Sequence, residues 1–167
     1  LRRRAAKVSQ TWRALKLRQI ALNKPRAKPD IANIKRGNDT MTAEQHLQWV
    51  SEHLNHGLRW LKTQCATEGR LSNARLDEHQ QATYDLALST SEIRCAEAYL
   101  ETARSTKGLN ETMAETFAAQ MIQSTLNRLL LSPQDVGLSR AALAAPETLE
   151  AFLDDHLRAE QLAKIGA

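Results

Sequence analysis

The chain has few of the residues that build most enzymes and most secreted domains. In 167 residues there are three Trp, two Tyr and two Phe, so the core has to be aliphatic. Six glycines and four prolines leave little material for a turn-rich β fold. The two cysteines, Cys65 and Cys95, form no CxxC pair. A disulfide framework is not expected, and a reducing compartment, cytoplasmic or mitochondrial, fits better. Both read as small core residues. No run of roughly 18 apolar residues is present, so no membrane helix is expected. GxGxxG, GxxxxGK[ST] and GxSxG are all absent, which removes the usual signatures of nucleotide-binding enzymes and serine hydrolases.

What is abundant is Ala, Leu, Gln, Glu and Arg, the alphabet of helices. Apolar residues recur at helical spacing in three long stretches. In residues 43–66, Leu47, Val50, Leu54, Leu58 and Leu61 make an inward face flanked by Trp49 and Trp60. Thr42 and Gln45 have capping-box spacing ahead of it. In residues 80–104, Leu86, Ile93 and Leu100 stand at heptad spacing beside Ala82, Ala96 and Ala103. In residues 110–130, Met113, Phe117, Met121 and Ile122 share a face and are followed by Leu126, Leu129 and Leu130. The short connection STKGL predicts an antiparallel hairpin of these last two helices. Glu68-Gly69-Arg70 opens an irregular connection before them.

Ser132-Pro133, with Asp135 following, reads as a helix start, and the short turn it opens ends at Gly137. Ser139 caps another short piece. Pro146 begins the last helix, with Leu149, Phe152, Leu153, Leu157, Leu162 and Ile165 inward. The expected fold class is therefore all-α: a four-helix bundle over residues 41–167, preceded by a basic helical arm and linker over residues 1–40.

Charge divides unevenly between those parts. Residues 1–36 hold twelve Lys or Arg and one acid, Asp30; the remainder holds eleven basic and eighteen acidic residues. Val8, Trp12, Leu15 and Leu22 form a helical stripe ringed by Arg4, Lys7, Arg13, Lys16 and Arg18. Such an arm suits an acidic protein partner, a membrane surface or nucleic acid. A transit-like segment and a solvated helix whose apolar stripe covers part of the body or of a neighbouring subunit are open alternatives. Pro25, Pro29 and Gly37-Asn38-Asp39 mark the linker.

Two constellations bear on chemistry. His46, His53 and His56 lie on one helix at seven- and three-residue spacing, a minimal metal-ligand pattern. No second helix supplies a matching ligand series, so water-facing or Trp-packed rings are the favoured reading, as they are for His79 and His156. Among the carboxylates Glu92, Glu97, Glu101, Glu111 and Glu115, Glu92 lies nearest an apolar face. Arg128 is a natural partner for it, in a structural rather than a catalytic role.

The segment Gln80–Ala103, containing DLALSTSEIRCAEAYLETA, resembles a helix in the C-terminal domain of acyl-CoA dehydrogenases; Gln80, Leu86, Ala87, Glu92, Ala96, Leu100 and Ala103 carry the likeness. MAETFAAQMIQ, residues 113–123, looks like that family's following helix. The match covers about residues 43–131. It implies a four-helix bundle that shares in FAD binding and in an oligomer interface, homo- or hetero-oligomeric. It also implies that Arg70 and Ser72, in Glu68-Gly69-Arg70-Leu71-Ser72, contact the flavin phosphates. The family's Phe-Gly pair is missing there, and LLSPQDVGLS carries neither its glycine-rich turn nor a catalytic base. The resemblance therefore implies a chain not active alone, working with a flavin-bearing partner. The alternative is a non-catalytic helical adaptor that uses its basic arm on an acidic protein, lipid or RNA surface.

Overall fold

A computed structural model describes residues 41–106 and 108–166. The arm, the linker and their expected helix lie outside the described residues. The body is all-α, a four-helix bundle with short accessory elements. Among the described residues no helix is long and apolar enough to cross a membrane.

Helix α1, Ala43–Cys65, begins with the expected capping box. The Thr42 N–H donates to Gln45 Oε1 at 2.7 Å, and the Gln45 N–H donates to Thr42 Oγ1 at 3.4 Å. Two otherwise orphaned donors are thereby satisfied. The connection after α1 is not irregular. It is a two-residue-loop hairpin in which β1, Ala66–Thr67, pairs antiparallel with β2, Arg70–Leu71. Glu68 and Gly69 both have positive φ, 50° and 76°, the conformation that lets so short a loop follow strand twist. Helix α2, Asn73–Glu78, is one short turn element capped by Ser72.

Helices α3, Gln80–Ala103, and α4, Leu109–Leu131, form the antiparallel hairpin and share the most extensive interface in the body. Contacts run in opposite sequence order, Glu92 with Arg128 and Tyr99 with Asn110, as that arrangement requires. Helix α1 packs against both, antiparallel to α3: Arg104 reaches Glu44 and Ser51 reaches Glu97. A 3-10 turn, Pro133–Val136, ends at Gly137 in the left-handed conformation. Helix α5, Glu147–Leu157, packs on α4. The expected single last helix is instead two, because Arg158 is extended (ψ 141°) before α6, Ala159–Gly166.

The core is aliphatic, as the scarcity of aromatics demands. Leu47, Leu86, Ile93, Ile122, Leu129 and Leu149 are its largest fully buried apolar side chains. Close approach of α1 and α3 is built on Gly57. A Cβ there would lie 2.9 Å from Leu86 Cδ2 and 3.4 Å from Val136 Cβ. Gly57 thus occupies the inward position, and Leu58, expected inward, is exposed. Met113 and Leu162 are exposed as well. Cys65 is buried, but Cys95 is on the surface; both are free thiols.

Candidate functional site

The three histidines of α1 go to separate tasks. His53 sits against Trp49, ring centroids 4.2 Å apart, with Nδ1 at 2.8 Å from the Trp49 carbonyl and Nε2 at 2.9 Å from the Ala142 carbonyl. His56 Nε2 lies 3.0 Å from the Gly137 carbonyl. Both rings therefore tie α1 to the connection between the 3-10 turn and α5. A helix-only periodicity could not reveal this, since the acceptors lie more than eighty residues away. His46 is buried, neither ring nitrogen has a hydrogen-bond partner among the described residues, and the ring packs on Phe152 at 4.9 Å. Among the described residues no group of three or more His, Cys, Asp or Glu could hold a metal ion.

The polar pair anticipated across α3 and α4 is present. Arg128 donates in bidentate fashion to Glu92, at 2.6 and 2.8 Å, and its Nη1 also donates to the buried Ser89 hydroxyl at 3.2 Å. The hydrogen bonds to Glu92 hold the Arg128 pKa above its ordinary value, against the opposing effect of burial. Every charge in this group faces a partner, and none of its side chains lines either of the two clefts described below. Its role is to fix the register of two helices.

Arg70 and Ser72 sit on the hairpin and just after it. Arg70 is exposed and makes no ion pair among the described residues. Ser72 accepts from the Arg75 N–H at 3.5 Å as the cap of α2. Neither lines one of the two clefts described next.

Those clefts adjoin one another at the opposite end of α1, roughly 33 Å away along a helix of this length. One hollow, about 400 Å³, lies where α1 and α4 begin and α3 ends. Its floor includes Met41, Leu100, Ala103 and Phe152; Glu44, Arg104, Glu111, Glu115 and His156 stand around it. The second, about 310 Å³, shares Met41, Phe152 and His156 and adds Glu147, Ala151 and Asp155. Phe152 lies between His46 and His156, whose ring centroid is 4.4 Å from its own. His156 Nε2 is 3.4 Å from Glu115 Oε2, and Arg104 donates to Glu44 at 2.6 Å. Burial pushes the Glu44 pKa up. Its own backbone N–H, Arg104 and the Thr42 hydroxyl together outweigh that and hold it below the ordinary value.

Glu111 and Glu115 stand far from Phe152 and His156 in the sequence, and only the fold brings them together. A signal was available. Helix first turns favour acids because they face the positive end of the helix dipole. Glu44, Glu111 and Glu147 all occupy first turns. Once α1 and α4 run parallel to each other on either side of α3, such acids gather at one end.

No protein-family model, no curated protein and no solved structure matches this chain.

Proposed function

We propose that this chain is a non-catalytic helical docking module, a scaffold subunit whose work is association. The observation that carries this reading is where the polar chemistry goes. His53, His56, Glu92 and Arg128 are each engaged in holding helices or connections to one another. The open concavity instead combines an apolar floor with an acidic rim, which is lining suited to a side chain of a partner. The charge division of the sequence supports the same reading, with a basic arm on an acidic body offering two electrostatically distinct surfaces.

The flavin reading stands as the rival, in which the chain resembles an acyl-CoA dehydrogenase C-terminal domain and shares FAD with a partner. Its support is the exposed guanidinium of Arg70 on the hairpin, which makes no ion pair among the described residues. It requires a second subunit to complete any cradle there, because neither cleft includes Arg70 or Ser72.

The arm separates the docking reading from a bundle without partners. Association through residues 1–36 with an acidic partner should weaken steeply as salt rises and vanish when those residues are removed. The expected result, read by sedimentation of the purified pair at several ionic strengths, is a salt-dependent complex for the full chain only. Association equal for both forms at every salt concentration would count against an arm-based docking role.

A further inference from the structure

We infer that the paired hollows around Phe152 are a receptor for an arginine side chain of a basic partner peptide, an inference that rests on the docking reading above. Both the shape and the charge of the hollows fit such a side chain. The floor, from Met41, Ala103, Phe152 and Ala151, is apolar enough to take the methylene stem of a long cationic residue. The rim presents Glu111, Glu115 and Glu147. Glu111 and Glu147 form no ion pair among the described residues. Among the described residues Glu115 has only the 3.4 Å contact with His156, whose ring carries charge only when protonated.

Glu44 is already committed to Arg104. That ion pair at the edge shows the geometry this site accepts, a guanidinium laid against a first-turn carboxylate. A second guanidinium, arriving from a partner, would find Glu111 and Glu115 one helical turn apart on α4. Its planar fork can address both, whereas an ammonium is a point charge that addresses one at a time. Phe152 holds its place because His46 lies against it from the core and His156 from the surface, so the floor is preformed.

The test uses the full chain and three synthetic peptides of equal length: leucine with arginine at helical spacing, the same with lysine, and the same with glutamate. Titration calorimetry at low salt should show the arginine peptide binding more tightly than the lysine peptide; the glutamate peptide, which the basic residues 1–36 can attract, should bind independently of substitutions at Glu111 and Glu115. The double variant E111Q/E115Q should weaken the arginine peptide by about tenfold. The variant D77N, an exposed acid on α2 near the hairpin, should leave it unchanged. Circular dichroism of each variant establishes that the bundle is intact. Equal binding by E111Q/E115Q and the parent, or equal weakening by D77N, would overturn the assignment. If the peptide order holds but the full chain forms no complex with any protein, the receptor stands and the docking role fails. If a partner complex forms and survives E111Q/E115Q unchanged, the role stands and this site is not its receptor.

Discussion

His46 is the residue whose burial has the clearest consequence. Enclosure in the core disfavours its charged form, and the nearby charge of His156 adds to that effect; a contact with the Met41 carbonyl opposes it without prevailing. Its pKa in the folded body is therefore below the ordinary histidine value. The unfolded chain then binds the proton more readily, so stability is complete above the unfolded pKa and is lost as pH falls through and below it. Urea unfolding should show a midpoint that declines between about pH 7 and pH 5, and His46→Leu should flatten that decline. A slope unchanged by the substitution would place the acid sensitivity elsewhere. Gly137 is the other residue with a sharp requirement. Its φ is +67°, and a Cβ there would lie 2.3 Å from the Trp60 indole. Gly137→Ala should cost roughly 2 kcal/mol or more, read as a lowered thermal midpoint, since backbone strain and overpacking act together. Neither role is legible in the sequence. Gly137 reads as an ordinary turn end, and His46 reads as one of three similar histidines until the tertiary packing separates them.

At the scale of elements, the α3–α4 hairpin is pinned by Glu92, Arg128 and Ser89. The side chains of Arg128 and Glu92 retain only 20% and 22% of their exposure. Removing one charge strands the other in a half-buried site. Arg128→Met or Glu92→Leu alone should each cost about 2 kcal/mol, while the double change should cost less than the sum by about 1–3 kcal/mol. Strict additivity in chemical unfolding would mean the pair does not act as a unit. This part of the fold was readable. The heptad spacing of Leu86, Ile93 and Leu100, the Thr42–Gln45 box and the Ser132-Pro133 turn each follow from local chemistry that operates within a few residues. What was not readable depends on contacts between distant segments. Leu58 is displaced from the core by the close approach at Gly57, Cys95 faces outward on a helix with alanine on several sides, and the last helix breaks at Arg158 although no Pro or Gly marks the place.

Seen whole, the body has two unlike ends. One carries the tight hairpin with exposed Arg70; the other gathers acids from helix first turns around an apolar floor. The acids themselves were visible in the sequence, but their convergence follows from antiparallel packing, which periodicity fixes only after helices are paired. The central proposal is that this bundle docks rather than catalyses, with His53, His56, Glu92 and Arg128 holding its own elements together. Native mass spectrometry of the full chain, isolated with its partners at low salt, tests it most directly. The account predicts a complex with a protein partner that dissociates as salt rises, in which this chain carries no flavin mass. A chain that retains FAD, alone or shared with a co-purifying subunit, would contradict it.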